Sequence, residues 1–382
     1  MANNEYRINN TIEFLRGGNE YFEKLKILIE SAKQFIVIHT YIFAEDQTGS
    51  MVVAYLKAAA NKNVKIYLLI DGIASSSLSK KFINQLSEEN ITLRFFEPLF
   101  KSEKFYIGRR MHQKIIIVDG LVALVGGLNI ADRYNDFPSQ KAWLDFALKI
   151  EGEVVLDIFE KSKKYFKNIE NKIKWPDNPT NQTDQNSTCE ARARINDWVR
   201  HKNEISNSYL EIFRNSKKEV IIFCSYFIPG KFIRRSIKNA INRGVKIKII
   251  TSEKSDIPIT KQAEKWLYDW LLRNKVELYE FQPNILHGKI GVCDNNMFTI
   301  GSYNINNLSA YASIEMNIDV KNKPLCELVL EKLNAIIINN CKKITTQYHK
   351  ENKNYFIQFK RWVCYKTIRI VFLIFTFYFK RS

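Results

Sequence analysis

The sequence predicts an α/β protein made of two homologous domains with mixed, largely parallel sheets. Three observations predict it. The pattern His-x-Lys-x4-Asp-x6-Gly-(Gly/Ser)-x-Asn occurs twice, once from His112 to Asn129 and again about 175 residues later from His287 to Asn304. Short apolar runs recur in the same order on either side of the chain's middle. Helical patterns separate them, and strands alternating with helices imply α/β units.

The elements follow in order. A helical pattern over Tyr21–Lys33 precedes the strand run Ala32–Phe43, and its counterpart over Glu204–Lys217 precedes Lys217–Ile228. Helical patterns at Met51–Asn61 and Lys231–Asn242 come next. The strand Val64–Asp71 matches Val245–Thr251, and Ile91–Phe96 matches Val276–Phe281. Each half then ends in a hairpin: Ile115–Val118, a turn at Asp119-Gly120, and Leu121–Val125; or Lys289–Cys293, a turn at Asp294-Asn295-Asn296, and Met297–Ile300. The order per half is α-β-α-β-α-β-β-β-α. Residues 1–172 form the first domain and 193–345 the second. The linker 173–192 is centred on Trp175–Thr188, which is polar and without apolar periodicity. Residues 346–382 are a basic and apolar tail.

The repeated motif carries the chemistry. The chain has five histidines, and two of them hold the same slot in the two copies. A phosphodiester's negative charge repels anionic nucleophiles. A neutral imidazole escapes that repulsion and forms a covalent intermediate, dividing one hard displacement into two easier ones. Strand alternation puts His112 and Lys114 on one face, with Gln113 on the other, and likewise His287 and Lys289, with Gly288 opposite. Lys114 and Lys289 bring fixed positive charge to the phosphate oxygens. Asn129 and Asn304 donate hydrogen bonds to the same oxygens, while Gly127 and Ser302 let the backbone approach. The second histidine serves as acid, then base. No metal or other cofactor is called for, because the lysines do the work of a cation. Asp119 and Asp294 complete the motif. Each follows an apolar run, so each either joins the chemistry or forms the turn.

The double motif resembles the active site of the phospholipase D superfamily. Residues 112–134, HQKIIIVDGLVALVGGLNIADRY, with Trp143-Leu144-Asp145 and Lys149-Ile150-Glu151-Gly152, resemble bacterial cardiolipin synthases more narrowly. The resemblance covers roughly residues 10–335. It implies two phospholipase D-like α/β sandwich domains packed face to face around one shared active site, in a monomer that holds both half-sites. It also implies an acidic residue after each histidine that orients the histidine of the other half: Asp145 for His287, and Glu315 for His112. By analogy His112 is favoured as nucleophile. The activity implied is transfer of a phosphatidyl group between two phosphatidylglycerols, releasing glycerol. The alternatives are hydrolysis of phospholipids to phosphatidic acid and, less favoured, a nuclease or nucleic-acid phosphodiesterase. Tyr41 and Tyr226 end the first strand of each half, as pocket walls or core residues. His39, opposite Cys224, reads as a core or supporting residue.

Composition bounds the partners. Lys and Arg number 58 against 40 Asp and Glu, for a net charge of +18, which suits an anionic lipid surface and permits nucleic acid. The six cysteines are not close-spaced, which argues against a zinc site and against a secreted disulfide framework. The run Ile370–Phe379, flanked by Lys366, Arg369, Lys380 and Arg381, is apolar but spans only about 15 Å as a helix, half a bilayer core. It suits the membrane interface rather than a crossing; the other reading is a segment packed on the catalytic body. Met1–Glu5 lacks an apolar signal region. The expected location is peripheral, at the cytoplasmic face of the cell membrane, or cytoplasmic. The basic run Lys101, Lys104, Arg109 and Arg110 either gathers anionic head groups or is a solvated loop.

Overall fold

The computed structural model describes residues 5–98, 109–166, 189–200, 202–351 and 354–377. The expected linker segment Trp175–Thr188, Lys101 and Lys104, and the terminal Lys380 and Arg381 lie outside the described residues. The chain divides into two compact units, Met1–Arg194 with Ile314–Val320, and Ile195–Ser313 with Lys321–Ser382.

The first unit begins with β1 (Asn10–Leu15), α1 (Asn19–Ser31), β2 (Phe35–Thr40), α2 (Gln47–Ala60), β3 (Lys65–Asp71), α3 (Lys80–Gln85) and β4 (Ile91–Phe96). It continues with β5 (Arg110–Met111), β6 (Ile115–Val118), β7 (Val122–Gly126), β8 (Ala147–Gly152) and α4 (Glu153–Lys163). Seven of these strands form a sheet in the order β1-β8-β7-β6-β2-β3-β4. Only β2, β3 and β4 run parallel, joined by the helical crossovers that parallel pairing needs. β6, β7 and β8 are antiparallel neighbours, as is the β2–β6 pair. The sheet is thus more antiparallel than the alternation of elements suggested, because short turns, not helices, link β6 to β7. The strand β1, which the sequence reading did not assign, pairs antiparallel with β8 along its whole length. β2 and β6 are buried throughout, which is why they read as unbroken apolar runs rather than alternating ones. α1 and α2 pack on this sheet through Leu25, Ile29, Val52 and Leu56.

Along the chain, β9 (Glu190–Asp197) and β10 (Lys202–Asn203) lead to α5 (Glu204–Asn215), β11 (Glu219–Phe223), α6 (Lys231–Asn242), β12 (Lys246–Ser252), α7 (Pro258–Trp266) and α8 (Tyr268–Arg273). Then come β13 (Glu277–Phe281), β14 (Ile290–Cys293), β15 (Met297–Gly301), α9 (Asn307–Tyr311), β16 (Ser313–Lys321), α10 (Lys323–Asn340), β17 (Cys341–Ile344), α11 (Thr346–Glu351) and α12 (Tyr355–Phe377). Within the second unit, β11-β12-β13 are parallel and β11-β14-β15 antiparallel, repeating the pattern of the first unit. The same isolated bridge recurs beyond the hairpin, Phe43 to Ile130 and Ile228 to Asn306.

The tail is a helix longer than its apolar run. One face of α12, with Tyr365, Ile368 and Phe372 at helical spacing, is buried against Ala263, Leu267 and Ile228. The other face exposes Tyr355, Phe356, Phe359, Ile370, Leu373 and Ile374. Among the described residues no helix is long and apolar enough to cross a membrane.

Candidate active site

The first half-site is built where β5 hands over to β6. The backbone amide of Met111 donates to Asp71 Oδ2 at 2.9 Å, and that of His112 to the carbonyl of Ile314 at 3.0 Å. His112 is thereby fixed from both sides in the backbone. Its Nδ1 lies 2.8 Å from Oε2 of Glu315, whose side chain is fully buried. A carboxylate accepts, so the proton sits on Nδ1 and the lone pair on Nε2, the tautomer a nucleophile needs. The Tyr41 ring meets the imidazole edge to face at 4.9 Å between centroids. Lys114 Nζ donates to the carbonyl of His112 at 2.7 Å and lies 5.1 Å from the Tyr41 ring centre. Burial, and then the Asp71 carboxylate, push the Tyr41 phenol up to about 12, so it remains protonated.

Behind this face stands a second polar pair. Gln113 Nε2 donates to the carbonyl of Glu315 at 3.4 Å, and Gln113 Oε1 lies 3.2 Å from His39 Nδ1. With the amide nitrogen used, Oε1 must accept, so His39 carries its proton on Nδ1. Burial pulls His39 down to about 4, and it is neutral near pH 7. Glu315 is thus located twice, through its carboxylate on His112 and through its backbone on Gln113.

Asn129 and Gly127 shape the same region. Asn129 Oδ1 accepts from the amide of Ile42 at 3.0 Å, and its Nδ2 donates to the Tyr134 hydroxyl at 2.8 Å. The amide that was expected to face phosphate is therefore engaged in holding the loop after Tyr41. A Cβ on Gly127 would lie 2.2 Å from Asp145 Oδ1, so glycine is what allows the buried Asp145 carboxylate its place. Asp145 Oδ1 accepts from the amide of Phe146 at 2.8 Å.

The second half-site repeats the motif with different support. His287 and Lys289 are buried. Lys289 Nζ lies 3.0 Å from His287 Nδ1, donates to the His287 carbonyl, and donates to Ser225 Oγ at 3.2 Å. Ser225 Oγ in turn donates to the His287 carbonyl at 2.7 Å. In both units, therefore, the motif lysine folds back onto its own histidine's carbonyl. Ser302 is fully buried. The amide of Asn304 donates to Ser309 Oγ at 3.3 Å, while its buried side-chain Oδ1 has no hydrogen-bond partner among the described residues. The Tyr226 hydroxyl donates to Asp256. His287, the residue expected to pair with Asp145, belongs to the other unit.

Asp119 and Asp294 are placed away from the imidazoles. Seven residues of extended chain, about 23 Å, separate His112 from Asp119. Asp119 accepts from the amides of Lys33, Gln34 and Phe35, each at 2.8–2.9 Å. Asp294 does the same for Lys217, Lys218 and Glu219. Both have positive φ, 53° and 50°, and each opens a turn whose next residue, Gly120 or Asn295, is also left-handed. Of the two roles the sequence left open, this placement fits the turn: aspartate tolerates the left-handed backbone, and its carboxylate clamps the start of the neighbouring strand. Arg110, read as part of a loop that either gathers head groups or is solvated, donates to Asp71 and to the Glu97 carbonyl.

Asp71 is the residue that sequence reasoning missed. Besides Met111 and Arg110 it holds the amides of Ile73 and Ala74. Its only signal was a carboxylate closing an otherwise apolar strand. Burial raises the thiols of Cys224 and Cys326 to about 11 and those of Cys293 and Cys341 to about 12. Among the described residues no three His, Cys, Asp or Glu side chains converge as metal ligands.

Comparison with known proteins places this geometry in a family. The family model described as cardiolipin synthase, PLD-like domain, matches residues 25–169 and 209–337. The chain belongs to the cardiolipin synthase family of PLD-like proteins. Cardiolipin synthase B of Salmonella typhi is 31% identical over 344 residues, covering 89% of this chain and 83% of that protein. Cardiolipin synthase B of Escherichia coli K12 is 30% identical over the same shares. A probable cardiolipin synthase of Bacillus subtilis, YwiE, is 26% identical over 80% of this chain and 62% of its own length. The fold also matches the crystal structure of phosphatidylserine synthase from Haemophilus influenzae Rd KW20, with a TM-score of 0.74 over 98% of both chains at 16% identity. This member of the cardiolipin synthase family is an enzyme of the phosphatidyltransferase type.

Proposed function

We propose that the chain joins two phosphatidylglycerols into cardiolipin with release of glycerol, through a phosphatidyl-histidine. The observation that carries the mechanism is the Nδ1 contact of His112 with Glu315. It leaves Nε2 as the nucleophile and stabilises the positive charge that the ring gains on attack. Nε2 forms a bond to phosphorus as the glycerol oxygen leaves. His287 gives that alkoxide its proton. The free hydroxyl of a second phosphatidylglycerol then attacks phosphorus, returns a proton to His287, and releases His112. Lys114 and Lys289 shift from the carbonyls they touch to the phosphate oxygens, where fixed cations favour the charge that develops in the transition state. Asp145 and Asn304 support His287 and the phosphate respectively, while Asp119 and Asp294 hold turns.

Association with the membrane belongs to the same reading. From Asn354 to Phe377 the chain has four basic residues, Lys360, Arg361, Lys366 and Arg369, and no acidic one. The exposed face of α12 mixes Lys360, Lys366 and Arg369 with Phe356, Phe359, Leu373 and Ile374, the composition of a helix that lies in an anionic interface. The protein then binds peripherally, at the cytoplasmic face. Phe356→Glu with Phe359→Glu is expected to weaken co-sedimentation with phosphatidylglycerol vesicles at least tenfold without lowering the melting temperature. Unchanged binding would assign this face another role.

The test of the activity is mass spectrometry of the lipids formed from phosphatidylglycerol vesicles. Cardiolipin with one free glycerol per molecule supports the reading. Phosphatidic acid would make water the acceptor and the chain a phospholipase D-type hydrolase.

A further inference from the structure

A cavity of about 550 Å³ lies wholly within the second unit, among α5, α6, α9 and α12. Its volume is that of a site for one small molecule. Its walls are largely apolar and aromatic, among them Leu210, Phe232, Ala310, Tyr311 and Phe372. Every charged residue lining it, Lys231, Arg234 and Arg369, is a cation.

Two of those cations lie against aromatic rings. Arg234 faces the Trp270 ring at 5.9 Å, and Arg369 the Tyr365 ring at 5.7 Å. Neither pairs with a carboxylate among the described residues, and Arg234 Nε is buried without a hydrogen-bond partner. An apolar chamber lined by guanidinium groups fits a molecule that is apolar at one end and anionic at the other. Neither a sugar nor a purely apolar guest uses both features.

We propose that this cavity is a binding site for one anionic phospholipid, separate from the histidine motifs, with an acyl chain between α6 and α12 and the phosphate on Arg234 and Arg369. None of the motif residues His287, Lys289, Ser302 and Asn304 lines it. Because α12 forms one wall with its buried face and presents its apolar outer face to the exterior, a lipid held here pins that helix to the bilayer. The identity of the anion as a membrane lipid rests on the function proposed above; the cavity and its charge do not.

The test is calorimetric titration of the full-length protein with dodecyl phosphate below its micelle concentration. As a phosphate monoester it has no second ester bond to transfer. Saturable one-to-one binding is expected, at least tenfold tighter than that of dodecylphosphocholine or inorganic phosphate. Ala310→Phe, which fills the chamber, and Arg369→Glu, an exposed change that spares the core, should each weaken it at least tenfold. His287→Ala should leave it unchanged, so loss of the catalytic reading would not remove this site. Equal binding of inorganic phosphate would mean a plain anion site and overturn the lipid assignment. Undiminished affinity in Arg369→Glu, whatever Ala310→Phe does to folding, would overturn it as well.

Discussion

The two half-sites share a motif and differ in what stands behind it. In the first unit His112 is held by Glu315, braced by Tyr41, and backed by the Gln113–His39 pair. In the second, the places of Gln113 and His39 fall to Gly288 and Cys224, and the contacts of His287 include Lys289 and Ser225. The strand ends also differ in support. Asp71 and the Ile314 carbonyl hold the approach to His112. In the second unit a buried network of Lys261, Glu264, Tyr268 and Glu280 joins β13 and α7, and Glu264 reaches the amide of Phe227. The same motif thus sits in unlike surroundings, and the proposed division of labour, nucleophile to His112 and acid to His287, follows that difference. A histidine held at Nδ1 by a carboxylate suits a nucleophile.

Breaking either histidine should have the largest effect. His112→Ala and His287→Ala are each expected to lower turnover at least about 10³-fold, because nucleophile and acid act as one unit; activity within tenfold of the parent in both would contradict a single reaction. Glu315→Gln sharpens the comparison. It keeps shape and removes charge, so kcat should fall about 10²-fold or more, with KM little changed. If kcat is retained, the contact merely positions the ring.

The turn carboxylates come next. Asp119→Ala and Asp294→Ala each orphan backbone amides that a charged acceptor had satisfied, at a cost of about 3 kcal/mol of stability, read in denaturant unfolding. Turnover per folded molecule should stay within about tenfold. A much larger loss of turnover in a stably folded variant would return these residues to the chemistry.

An effect on stability alone is expected in pH. His39 has its folded pKa depressed to about 4 from the ordinary 6.5. Between those values the unfolded chain binds a proton that the folded one does not, so stability falls as pH drops from about 6.5 towards 4, by about 3 kcal/mol in all. His39→Gln should flatten that slope. An identical slope would locate the titration elsewhere.

Much of this was legible in the sequence. The pairing of each motif histidine with its lysine was visible because strand period and motif spacing agree, and the turns because Asp-Gly and Asp-Asn follow buried runs. Glu315 was legible only through family resemblance; nothing local distinguishes a carboxylate in β16 from any other. Asp71 and the Gln113–His39 pair were not, since their roles arise from strands far apart in sequence. Nor was the engagement of Asn129 with Ile42 and Tyr134, which depends on how the loop returns. The tail was read as ten apolar residues, but the helix runs over Tyr355–Phe377 because Tyr365, Ile368 and Phe372 find a partner in α7. Sequence alone gives a stripe, not the surface it meets.

His112, held by Glu315, is proposed to form the covalent intermediate. The most direct test is alkaline-quenched, rapid-digest mass mapping of the unaltered protein during turnover of phosphatidylglycerol vesicles. A phosphatidyl adduct on His112 and on no other residue is expected. An adduct on His287 or any other residue, with His112 unmodified, would contradict the assignment.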